Sequence, residues 1–174
     1  MIIIKINKKN FIGKKNKGDT LVETLFYIAL FAVLSIAVIN SMITMMKSFK
    51  ETAIQRELAQ GANIMERISR EIRGASSVSF TNSNDIILTE TGKTLEFKMS
   101  VGTNYIQLID TPTSGSPTIA NLNPSNVAVS GLTFTQITTA KGVAVKVFLT
   151  IYSNHDTSSR TENFYDTIVL RGDY

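Results

Sequence analysis

The sequence predicts an α+β fold, with one very long N-terminal helix packed on a C-terminal, mainly antiparallel β-sheet domain. Three observations carry this. A run of 23 residues without formal charge, Thr24 to Met46, is followed by an apolar stripe at three- and four-residue steps as far as Ile72. No proline occurs before Pro112. Beyond Gly74 the texture changes to short runs rich in threonine, serine, asparagine and β-branched residues.

The N-terminal segment, residues 1–18, is a basic leader whose six charged residues are all lysines, among them Lys14, Lys15 and Lys17. They account for the formal net charge of +4, because the remaining 156 residues hold 12 basic and 14 acidic side chains. A high pI that resides in a leader gives no reason to infer nucleic-acid binding by the rest. No cysteine is present, which excludes disulfides, thiolate nucleophiles and cysteine metal sites.

The helix is expected from about Leu21 to Arg73, about 53 residues and roughly 80 Å at 1.5 Å per residue. Its first half, residues 19–46, is apolar nearly all round and long enough to cross a bilayer core. The lysines precede this span, so the positive-inside bias places the N-terminus in the cytoplasm and the longer remainder outside. The second half, residues 47–74, is amphipathic, with Phe49, Ala53, Ile54, Leu58, Ala62, Met65, Ile68 and Ile72 on its stripe. Lys47 with Glu51, Glu66 with Arg70 and Arg67 with Glu71 have the spacing of surface ion pairs. Gly61 is a weak point within this half, and Gly74 is the expected stop.

In the domain 75–174 the runs Ser77 to Phe80, Asp85 to Thr89, Thr94 to Met99, Tyr105 to Ile109, Val127 to Ile137, Val143 to Tyr152 and Phe164 to Leu170 read as strands. Turn clusters separate them: Asn82 to Asp85, Thr91 to Lys93, Asp110 to Asn126 with all three prolines, and Ser153 to Glu162. One sheet is expected, laid by its apolar face on the helix stripe from Ile54 to Ile72.

Glu23 stands at the start of the apolar run. Thr20 and Glu23 have the spacing of a capping box, with Thr20 as helix cap, and a carboxylate in the first turn suits the helix dipole. That reading leaves unexplained why a basic leader ends at Gly18 directly before a long apolar span. Together, leader, glycine, glutamate and span resemble the class III signal of type IV pilins and type II secretion pseudopilins. In that family a prepilin peptidase cuts after the glycine and leaves the apolar segment on the mature protein. The resemblance implies cleavage between Gly18 and Asp19, N-methylation of Asp19, and a pilin-like fold. It also places Glu23 at the fifth mature position, where the family keeps its filament-assembly glutamate. The new amine at Asp19 and a glutamate buried in apolar surroundings are each costly alone, so pairing between neighbouring subunits gives both a partner. The sequence departs from the family at Asp19, where phenylalanine is usual, and lacks a proline in the membrane half.

Glu66 to Arg73 before Gly74, and the ending Val169-Leu170-Arg171-Gly172, resemble the J-type minor pseudopilins and related minor pilins. The implied partners are other pilin or pseudopilin subunits, the prepilin peptidase, an inner-membrane assembly platform and the membrane itself. No cofactor and no metal are implied. An enzyme is not expected: His155, the single histidine, reads as a solvated turn residue, and Asn82 to Asp85 with Asp110 read as turn formers without a calcium-loop series. Two other functions stay open at this point. One is an adhesin or DNA-uptake module at a pilus tip, and the other a membrane-anchored or secreted β domain, since Ser35-Ile36-Ala37 imitates an ordinary signal-peptidase site.

Overall fold

The computed structural model describes residues 17–100, 102–139 and 142–170. Residues 1–16 of the expected leader lie outside the described residues. The predicted α+β class is what is found: one helix, α1 (Lys17–Gly74), precedes eight strands among the described residues, and its second half packs on antiparallel sheet. The chain divides into two compact units, Met1–Ser48 and Phe49–Tyr174, and α1 continues through both.

In the first unit, every described side chain of α1 from Thr20 to Ser48 is exposed except Ser35, which is half-buried. The apolar residues are exposed like the rest: Leu21, Phe26, Phe31, Ile36 and Met42 are all more than half accessible. This helix is long and apolar enough to cross a membrane, with a mean hydropathy of 2.3 in its richest window.

In the second unit, α1 buries Ile54, Ile64, Met65, Ile68 and Ile72. This stripe is not quite the one read from apolar residues alone. Phe49, Ala53 and Ala62 are exposed, whereas Glu57, Gly61 and Ser69 are buried on the inward face. Polar and glycine positions can occupy a buried face when they meet a hydrogen-bonding partner or a close neighbour, and hydropathy cannot register either. Gly61 is the clearest case. A Cβ there would overlap the Phe164 ring and come within 2.7 Å of Ile151 Cδ1, so the absent side chain is what lets the sheet approach.

The strands form two sheets, not the single one expected. β1 (Ser77–Asn82), β2 (Asp85–Glu90), β3 (Lys93–Met99), β4 (Ile106–Pro112) and β5 (Thr118–Asn121) make a five-stranded antiparallel meander in chain order. β6 (Val127–Thr139), β7 (Gly142–Ser153) and β8 (Thr161–Val169) make a three-stranded one. Alternation fixes which face of a strand is buried but not which edge it joins, so the break was not legible. β5 was also unexpected, since it lies within the proline-containing connector and all four of its residues are exposed. Local chemistry explains the hairpins. Asn82 Oδ1 accepts from the Asn84 amide at 2.9 Å between β1 and β2, and Gly92, at φ +85°, supplies the left-handed position between β2 and β3.

One apolar core joins α1 to both sheets: Ile68 and Ile72 belong to the same buried cluster as Ile86, Leu88, Leu95 and Phe97 of the first sheet and Val145, Val147, Leu149 and Ile151 of the second. A fully buried side chain of this size contributes about 1.5–3 kcal/mol. Asn123 stitches the crossing between sheets. Its Oδ1 accepts from the Ile106 amide at 2.8 Å, and its Nδ2 donates to the carbonyls of Val127 and Asn104 at 2.6 and 3.2 Å. Burying this amide is tolerable because its oxygen and nitrogen are both hydrogen-bonded to backbone groups.

Gly61→Val is expected to lower the free energy of unfolding by about 1–3 kcal/mol in denaturant titration, through overpacking against β8. The loss should shrink in a Phe164→Ala background, where the ring it strikes is gone; an equal loss in both backgrounds would refute the close approach as its cause.

Candidate functional site

The residues singled out by the sequence lie at the start of α1. Gly18 and Asp19 fall inside the helix by their backbone. Thr20 does too, and its carbonyl accepts from Thr24 Oγ1 at 2.7 Å. Glu23 Oε1 accepts a hydrogen bond from the Tyr27 hydroxyl, one turn onward, at 3.0 Å. Tyr27 was not read from the sequence as part of this site, although its i+4 spacing from Glu23 is the available signal.

Glu23 is a carboxylate at the start of the apolar run, placed among exposed apolar side chains. A carboxylate without partners in hydrocarbon is strongly disfavoured, and the Tyr27 hydroxyl satisfies only part of its accepting capacity. The arrangement therefore leaves acceptor positions for a donor from another molecule. Chemically it is a docking group for a cation or an N–H donor.

A second constellation lies in the β domain unit, and the sequence did not disclose it. The β7–β8 connection, expected as a solvated loop, is clamped to α1 at two carboxylates. Glu57, buried on the helix, accepts from the Ser153 hydroxyl, and its Oε1 lies 2.9 Å from His155 Nδ1. His155 is thus no mere solvated turn residue, although its side chain remains 65% exposed. Farther along, Arg160 spreads its guanidinium between two carboxylates. Nη1 and Nη2 donate to Glu51 at 2.7 and 2.9 Å, and Nε donates to Asp156 at 2.8 Å. Asp156 also accepts from the Ser158 and Arg160 amides, folding the loop upon itself.

This clamp takes Glu51 from the partner its spacing had suggested: Glu51 binds Arg160, not Lys47. Of the other spaced pairs, Glu66 and Arg70 meet at 3.2 Å, while Arg67 and Glu71 are not within ion-pair distance. The clamp does not have the geometry of a nucleophilic site. Ser153 gives its proton to Glu57 and accepts from the His155 amide, so its hydroxyl is committed away from the imidazole. Among the described residues no group of three or more histidine, aspartate or glutamate side chains lies close enough to hold a metal ion.

The hydrogen bond from Arg160, with those from the Ser158 and Arg160 amides, holds the Asp156 carboxyl down at about 2. A carboxyl depressed in the folded state stabilises the fold above its unfolded value near 3.9 and loses that contribution as pH falls toward the folded value.

Comparison with family models, with curated proteins and with solved structures found no match.

Thermal unfolding of the wild type should therefore shift to lower temperature between about pH 4 and pH 2, and Asp156→Asn should flatten that part of the profile. An unchanged slope in the variant would remove Asp156 from the account.

Proposed function

We propose that the chain is a minor pilin or pseudopilin: a structural subunit made as a prepilin, cleaved after Gly18 by a prepilin peptidase and assembled into a type IV pilus-like or type II secretion filament. The observation that carries this reading is the pairing of an exposed apolar helix half with an exposed carboxylate, Glu23, at its start. Such a helix is not a finished surface in water. It needs lipid before assembly and the apolar helices of neighbours after it.

In this mechanism the precursor sits in the cytoplasmic membrane with its N-terminus in the cytoplasm and its β domain outside. Cleavage converts the Gly18–Asp19 peptide bond into a free amine at Asp19, the site of any methylation. Before assembly, Glu23 has Tyr27 as a partner within its own helix. On assembly the amine of a neighbouring subunit completes its coordination, and mutual neutralisation makes entry of both charges into the apolar filament core tolerable. The second half of α1 and its sheets supply the outward domain. The protein works by assembling and not by catalysis, and the assembly platform and other subunits are its partners.

Glu23→Ala is expected to leave cleavage intact and to reduce recovery of the subunit in purified filaments to background. Recovery at the wild-type level would contradict the assembly role of Glu23. Tyr27→Phe keeps the ring and should retain incorporation, because the intermolecular amine replaces the lost hydroxyl.

A further inference from the structure

The edge strand of a sheet presents main-chain donors and acceptors that no neighbouring strand meets, and three of the four edges among the described residues are closed off. β1 has six residues and a register break between Phe80 and Asn82. β5 has four, directly after Pro117. β6 breaks register between Val129 and Gly131, and its edge is already bonded: the Phe134 amide donates to the Ser83 carbonyl at 2.7 Å and the Val129 amide to that of Asn104 at 3.0 Å. β8 differs on each count. It pairs with β7 over nine residues in unbroken register, and it contains neither proline nor lysine.

The main-chain groups at this edge can be assigned. The Leu170 amide donates to the Val143 carbonyl, so alternation turns the backbone groups of Ile168, Asp166, Phe164 and Glu162 toward β7. Those of Thr167, Tyr165 and Asn163 then point outward. The Thr167 amide is met there by the Asp166 side chain, whose Oδ1 accepts at 2.8 Å. Nor does α1 close this edge. Open clefts of about 340 and 280 Å³ separate helix from strand, one beside Tyr165 and Asp166 and the other beside Glu162 and Phe164.

We propose that a second copy of this chain pairs here, β8 against β8 and antiparallel about a twofold axis, joining two three-stranded sheets into one. The chemistry of the edge names the occupant. Alternating N–H and C=O groups are complemented by an extended main chain, and a second β8 is an open strand of equal length. The two carboxylates of β8 then select the register. With the axis at Tyr165 all nine residues pair, setting Glu162 opposite Ile168, Asn163 opposite Thr167 and Phe164 opposite Asp166. A slide of two residues, the smallest that keeps each side chain on its own face, puts Glu162 opposite Asp166 or Asp166 opposite itself. Larger slides forfeit pairs. In the Tyr165-centred register the outward groups of Asn163, Tyr165 and Thr167 bond to their counterparts, and the exposed Tyr165 rings lie side by side at the axis. The inference is independent of cleavage at Gly18 and of Glu23.

Because the chain has no cysteine, introduced cysteines report the register directly. Full-length protein in detergent micelles carrying Tyr165→Cys should form a disulfide-linked dimer on mild oxidation, since opposed residues of a hydrogen-bonded pair lie about 5.5 Å apart, within disulfide reach. Asn163→Cys alone should not cross-link, whereas Asn163→Cys combined with Thr167→Cys should. Without oxidant, wild type should sediment as a concentration-dependent dimer. Tyr165→Lys, which sets two cations together at the axis, should raise the dimer dissociation constant about tenfold. That variant should unfold near the wild-type temperature, because Tyr165 is 65% exposed. A monomeric wild type, which would leave the edge to a strand of another protein, would overturn the proposal. So would equal cross-linking of Tyr165→Cys and Asn163→Cys, or self-association untouched by Tyr165→Lys, which would assign the contact elsewhere on the chain.

Discussion

Everything in this molecule depends on one helix whose two halves need different surroundings. In its first half, among the described residues, the apolar side chains are exposed on all sides. In its second half, Ile54, Ile64, Ile68 and Ile72 lie in the core shared with both sheets. Apolar surface is costly in water wherever it lies, so the fold resolves only half of the problem that the sequence of α1 poses. Residues 20–48 are the half left exposed, long and apolar enough to cross a membrane.

The buried half is held more specifically than an apolar stripe alone would require. Gly61 allows Ile151 and Phe164 to approach, Asn123 ties both sheets through backbone groups, and Glu57 and Glu51 anchor the β7–β8 connection. Such polar contacts add little net stability when complete but are costly when one member is removed. Their effect is to specify one arrangement of helix and strands.

Much of this architecture was legible in the sequence because it is written in periodicity. The long helix, its end at Gly74, the turns at Asn82 to Asp85 and at Gly92, and the alternation of Val143 to Ile151 all follow from local chemistry. What escaped was long-range. Glu57 and His155 are 98 residues apart, Glu51 and Arg160 are 109 apart, and nothing in the neighbourhood of either announces the other. The division into two sheets escaped for the same reason, since a strand's own pattern does not name its neighbour. At the N-terminal site, Glu23 was evident as a charge beside an apolar run, while the helical setting of Thr20 and the hydroxyl of Tyr27 emerged from the structure.

The proposed role of Glu23 depends on an amine that cleavage would create at Asp19, four residues upstream in sequence. The direct test is intact mass and N-terminal sequencing of the native protein. The account predicts a mature chain beginning at Asp19, with or without a methyl group on its amine. A chain beginning at Met1 would describe an uncleaved anchor and one beginning at Val38 a secreted β domain, and either would contradict it.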